Sequence, residues 1–168
     1  PRFTYHGFQY VEITGYPGVP SADDVTGCFV RSAVEEIGSF ACGHPLINRI
    51  HRCTVQSQRC NLQMGVPTDD TQRAERQGWG ADAWACAEAA FYNFHIGRLY
   101  AKWIADFCDQ QDETGFVGMI VPQAGPEEDL VWSAAFILIP WWQYLHTGDR
   151  RILEDAYPHL RRYMAWLE

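Results

Sequence analysis

Between Pro67 and Asp82 the sequence reads PTDDTQRAERQGWGAD. Asp69, Asp70, Glu75 and Asp82 crowd this stretch together with Arg73, Arg76 and Trp79. Such a set suits carbohydrate chemistry. Carboxylates grip sugar hydroxyls, and an indole face stacks on the apolar side of a sugar ring. Glycoside hydrolysis usually takes two carboxyl groups, one of them protonated to help the leaving group depart. A capped, solvated loop with Asp and Arg pairing locally would use the same residues, and local spacing alone does not separate the two readings. Trp132 offers a second indole further along the chain.

The flanking periodicities say what must position these groups. HPLINRIHRCTVQSQRCNLQM, from His44, carries apolar residues at helical spacing, with Pro45 suited to a first turn. DAWACAEAAFYNF predicts a second helix, which HIGRLYAKWIADFCDQQ either continues or follows with a further helix after a break near Asn93 to His95. The acidic stretch therefore joins two helices. Trp79 to Asp82 opens the second, where helix amides favour the Asp82 anion. GFVGMIVPQAGPEED reads as a Gly/Pro-rich loop long enough to suggest function. LVWSAAFILIPWWQYLH, apolar nearly all round, predicts one buried helix, and RILEDAYPHLRRYMAWLE another, with Pro140 and Pro158 as kink sites. The first forty residues, including FTYHGFQYVEITGY, read as extended strands too few for a sheet of their own.

Composition bounds the function. The 168 residues are 47% apolar, with seven Trp, eight Tyr and nine Phe, enough for a real core. A net charge of −8 argues against nucleic acid as partner, and no apolar run is long enough to span a membrane. Cys28, Cys42, Cys53, Cys60, Cys86 and Cys108 form no C-x-x-C pair and read as reduced, buried, inert thiols. This favours a reducing compartment, cytoplasmic over secreted, and no signal peptide is expected. His51 and Cys53 are spaced to opposite faces of a helix, so no metal site is expected. His44, His51, His95 and His146 read as helix-end or core residues, and Glu127, Glu128 and Asp129 as a solvated acidic loop. Starting at Pro1 and stopping at Glu168 within a helical pattern, the chain reads as a piece of a longer one.

The stretch from Pro67 to Ala83 resembles the signature of the α-L-rhamnosidases of glycoside hydrolase family 78, read as P-T-D-C-P-Q-R-D-E-R-x-G-W-T-G-D-A. Pro67, Thr68, Asp69, Gln72, Arg73, Glu75, Arg76, Gly78, Trp79, Asp82 and Ala83 match it. FTYHGFQYVEITGYPG is similar to the last strands of the family's β-sandwich, and GSFACGHPLINRIHRCTVQSQRCN to the first helix of its barrel. AAFYNF and YLHTGD are similar to family stretches as well.

The resemblance implies a mainly α fold. Residues 1–40 would end a β-sandwich domain, and residues 41–168 would form the N-terminal part of an (α/α)₆ barrel. It implies inverting release of terminal α-L-rhamnose, with no cofactor. Glu75 matches the general acid; Asp69, Trp79 and Asp82 match sugar-holding residues; Trp132 falls at a further site tryptophan in a W-G-D-A stretch. An acid must carry its proton when the bond breaks, and the like charges of Asp69 and Asp82 would favour that form. No residue matches the family's general base. The expected partners are a carbohydrate substrate and the rest of the barrel.

Departures are specific. Asp70, Thr71, Ala74, Gly80 and Ala81 replace Cys, Pro, Asp, Thr and Gly, and Ser133 and Ala134 stand where Gly and Asp are expected. They leave the sugar and its linkage open. A related barrel hydrolase acting on another sugar, or a carbohydrate-binding protein without catalysis, would share much of this pattern.

Overall fold

A computed structural model of the chain describes residues 5–69, 75–123 and 129–168. Asp70, Thr71, Arg73, Ala74, Glu127 and Glu128, singled out above, lie outside the described residues.

Helices dominate from Pro45 onward. α1 spans Pro45–Cys60, with Pro45 in its first turn. Two short antiparallel strands follow, β1 (Leu62–Gln63) and β2 (Val66–Pro67). α2 (Gly80–Asn93) and α3 (Gly97–Gln110) come next, then one-turn α4 (Leu130–Ser133), α5 (Ala135–Thr147) and α6 (Arg151–Leu167). The turns at Phe94–Ile96 and Gly148–Arg150 are short; α5 packs back along α6, and α2 and α3 both pack on α5. Gly148 ends α5 in the left-handed conformation (φ 69°), where a side chain would be disfavoured. The long connections, 61–79 and 111–129, therefore emerge at the opposite end of the bundle, together.

The core lies between α2, α3, α5 and α6. α2 offers a small-residue face of Ala83, Ala87 and Ala90, which lets α5 approach closely. α3 buries Leu99, Tyr100, Trp103, Ile104 and Phe107 at helical spacing. Phe107 stacks on Phe136 of α5 at 5.3 Å, and Phe136 meets Tyr163 of α6 edge-on at 5.9 Å. Each such ring taken from water contributes about 1.5–3 kcal/mol. The Trp103 indole N–H, deep in this core, donates to the Val121 carbonyl at 2.7 Å and so ties the 111–129 connection down.

Three expectations need correction. The first forty residues are extended or irregular, but among the described residues before Pro45 the regular structure is a 3₁₀ turn at Ala22–Asp24 and one bridge, Glu36 to Phe94. Strand sequences need strand neighbours, and the described residues supply none. The apolar run 130–146 is not one helix but α4 and α5, broken at Ala134; α5 and α6 do run on through Pro140 and Pro158. All six thiols are free, yet none is buried: Cys28, Cys42, Cys53 and Cys86 are exposed, and Cys60 and Cys108 half-buried. Cys53 and Cys86 face an open space between α1 and α2, and Cys28 and Cys42 lie on the extended N-terminal run.

That run is fastened to the helices at two levels. Ser32 donates its amide to Leu62 O at 2.7 Å. Further on, His95 donates to Glu35 O at 2.8 Å and Ile37 to Asn93 O at 2.9 Å. Glu36 also pairs with Arg59 of α1.

Candidate active site

The acidic segment lies at the end of the bundle where both long connections emerge. It begins with a buried Thr68, whose amide and hydroxyl both donate to Asn61 O, at 2.7 and 3.1 Å. Asn61 in turn donates its side-chain amide to Asp69 O at 3.2 Å. Asp69 then clasps the far side of the loop. Its amide donates to Gln77 O at 3.0 Å, and its Oδ1 accepts the Gln77 amide at 2.9 Å. Half-buried Asp69 is thus tied to Gln77 by its amide and by one carboxylate oxygen.

Glu75 is exposed, and Arg76 after it is left-handed (φ 49°), uncommon for a residue with a side chain. Gly78, Trp79 and Gly80 then pair with the other connection. Val121 donates to Gly78 O and Gly80 donates to Met119 O, each at 2.9 Å, with Trp79 opposite Ile120. On this backbone neither glycine has room for a side chain. A Cβ on Gly78 would lie 2.0 Å from Val121 O, and one on Gly80 2.0 Å from Trp132 O.

This pairing fixes the backbone at Trp79, whose ring meets that of Trp132. Their rings meet edge to face, centroids 6.4 Å apart at 68°. Trp132 sits on α4, whose first turn is capped by Asp129 Oδ1 accepting from Val131 N at 2.8 Å. Asp129 is thus a helix cap. The buried Trp132 indole N–H has no hydrogen-bond partner among the described residues. Ser133 is buried and turned away: its hydroxyl meets Tyr163 Oη at 2.6 Å and donates to Asp129 O at 3.0 Å.

Asp82 occupies the first turn of α2 and is exposed, in the favourable field of that terminus. It faces Cys86, whose thiol is pushed up first by burial and then by the Asp82 charge. Asp69 and Asp82 share a cavity of about 870 Å³ between α1, the β1–β2 hairpin and α2. Glu75, Trp79 and Trp132 do not line that cavity. The candidates therefore form two neighbouring sets, linked by Asp69 through Gln77 and by Trp79 through the start of α2. No group of three or more metal-ligating side chains occurs among the described residues.

His44, His95 and His146 are exposed and His51 half-buried. His44 precedes α1, His51 bonds Asn93 Oδ1 at 3.2 Å, and His146 stacks on Phe91 at 5.0 Å. Sequence reasoning missed the Gly78–Gly80 pairing with Met119–Val121 and the reach of Tyr5 to Arg76. The two glycines flanking a tryptophan, and the apolar FVGMIV run, were the signals available for the first. The second left no local sign.

Residues 35–168 match the bacterial alpha-L-rhamnosidase 6 hairpin glycosidase domain, and residues 1–31 the bacterial alpha-L-rhamnosidase concanavalin-like domain. An alpha-L-rhamnosidase of Streptomyces avermitilis is 37% identical over all of this chain and 16% of its own length. One from Formosa agariphila is 32% identical over 98% of the chain and 18% of its own length. The structure of an alpha-L-rhamnosidase from Dictyoglumus thermophilum superposes with a TM-score of 0.92 at 44% identity, over 99% of this chain and 19% of that one. The Streptomyces avermitilis enzyme, crystallised with L-rhamnose, superposes with a TM-score of 0.91 at 36% identity, over 99% of this chain and 16% of that one. The chain thus spans less than a fifth of the length of these relatives.

Proposed function

This chain belongs to the bacterial α-L-rhamnosidase family, and from that premise we propose that it is part of the catalytic machinery of an inverting α-L-rhamnosidase. Residues 1–40 belong to the end of a β-sandwich domain and residues 41–168 to the first helices of an (α/α)₆ barrel. Glu75 acts as general acid. Its proton passes to the glycosidic oxygen as the bond to the anomeric carbon breaks, and the aglycone leaves as an alcohol. A base on the opposite ring face, its carboxyl roughly 6.5–9.5 Å from that of the acid, activates the water that completes inversion. That base is assigned to no residue of this chain. Asp69 and Asp82 accept hydrogen bonds from sugar hydroxyls. Asp69 has a second carboxylate oxygen for this, Oδ1 being engaged by Gln77. Trp79 and Trp132 wall the sugar, and the Trp132 indole N–H is a donor for it. The substrate is a glycoside ending in α-L-rhamnose.

The observation that carries the reading is the Trp79–Trp132 pair. Two indoles from distant segments meet at the end of the bundle where the long connections emerge, and Trp79 follows Glu75 by four residues in the chain. An aromatic corner suits the apolar face of a sugar ring. The test is Glu75→Gln in the full-length enzyme. Gln keeps the shape but delivers no proton, so turnover on a natural rhamnoside should fall by roughly 10²–10⁴. An aryl rhamnoside with a good leaving group should lose far less. Wild-type turnover of the natural substrate by Glu75→Gln would remove Glu75 as the acid, and rhamnose binding without hydrolysis by the unaltered enzyme would favour a carbohydrate-binding protein.

A further inference from the structure

We propose that Tyr5, from the extended N-terminal run, is a positioning residue for Glu75 and acts through Arg76. The inference rests on the reading of Glu75 as the acid and adds to it a device contributed from outside the helical bundle.

Downstream of Glu75 the backbone is fixed within a few residues. Gln77 is clasped by Asp69 on both its amide and its carbonyl. Gly78 and Gly80 are paired to Val121 and Met119. Arg76 is the joint between that fixed strip and the acid, and its left-handed backbone (φ 49°) is one that a residue with a Cβ leaves unless it is held. The described hold comes from Tyr5. The Arg76 guanidinium donates through Nη1 to the Tyr5 carbonyl and lies over the Tyr5 ring, 5.2 Å from its centroid. A planar guanidinium is suited to both contacts at once, and a lysine to only one. Glu75 itself is exposed. Released from Tyr5, Arg76 would relax toward negative φ, and the Glu75 carboxyl would swing with the change. Tyr5 falls within residues 1–31, which match the concanavalin-like domain, whereas Arg76 falls within the 6 hairpin glycosidase match. The contact therefore couples the acid to the neighbouring domain.

The experiment uses the full-length enzyme that carries this segment, with Tyr5→Leu, Tyr5→Phe, Arg76→Met and Glu75→Gln variants. Each is assayed on a rhamnosyl disaccharide and on a dinitrophenyl rhamnoside. Arg76→Met removes both contacts and should lose about tenfold in kcat on the disaccharide, a part of the whole general-acid effect, while Tyr5→Leu removes the ring, keeps the backbone carbonyl and should lose about threefold. Their KM, and their rate on the dinitrophenyl substrate, should stay within about twofold. Tyr5→Phe keeps ring and carbonyl and should behave as wild type. Placed on Glu75→Gln, neither substitution should cost anything further, because the proton it serves is gone. Should Tyr5→Leu fail to fold, Arg76→Met decides the matter alone. Equal losses on both substrates, or no loss, alongside a normal Glu75→Gln defect, would overturn the positioning role only. A Glu75→Gln enzyme with wild-type turnover would overturn the acid assignment and this proposal together.

Discussion

Asp69 carries two tasks that a single substitution cannot separate. One carboxylate oxygen closes the loop onto Gln77, and the proposal gives the other to the sugar. Asp69→Ala should therefore lower stability, by about 1–3 kcal/mol for a charged hydrogen bond, as well as rate. Thermal melting read beside kinetics checks this. Asp82 has no such structural bond among those described and should divide differently. Asp82→Asn should weaken sugar binding and rate together, whatever the leaving group, with melting little changed. A third residue supplies an independent check on the local environment. Burial, then Asp109, pushes the Cys108 thiol up to about 11, with Arg162 pulling the other way. The neutral thiol thus persists well above the usual range, so Cys108 should alkylate slowly at pH 8 and speed up only as pH approaches 11, which mass spectrometry of labelled peptides resolves. The site carboxylates were readable in the sequence because they lie within one short segment. The Ser133–Tyr163 bond was not, because a buried hydroxyl declares its partner only once α4 and α6 are packed together.

Helices α3 and α6 were legible in their periodicity, since each buries one face and exposes another. The break at Ala134 was not, because an apolar run reads the same whether it is one helix or two. The strip joining Gly78–Gly80 to Met119–Val121 was equally hidden, since it pairs two connections that no local pattern relates. It fixes the backbone at Trp79, whose ring meets Trp132. Gly80→Ala would drive a methyl into the Trp132 carbonyl, a backbone atom that cannot turn aside. The expected cost is about 1–3 kcal/mol of overpacking. Because the carbonyl belongs to Trp132, KM for the rhamnoside should rise as well. Gly43→Ala, with open space at its Cβ, serves as the neutral control.

The bundle leaves apolar surface on both flanks. Leu46, Ile47 and Ile50 are exposed along α1, and Trp141, Leu145 and Met164 on α5 and α6. Exposed stretches of this kind mark surfaces that pack against something else, and in a six-hairpin domain the neighbours would be further hairpins. The five long helices described here make up less than half of such a ring. Tyr5 and the Glu35–Gly38 strap show the same dependence at the N-terminal side, where residues outside the helices hold those inside. It follows that the 168 residues alone should not hydrolyse rhamnosides. The acid would be present, but the base facing it and much of the cavity wall would not. The isolated segment should also bind a hydrophobic dye strongly, and the full-length enzyme should not. Activity assays on both forms at equal concentration check the first statement. Robust turnover by the segment would mean that a second catalytic carboxylate lies within this chain, and Asp70→Asn and Glu128→Gln would then identify it.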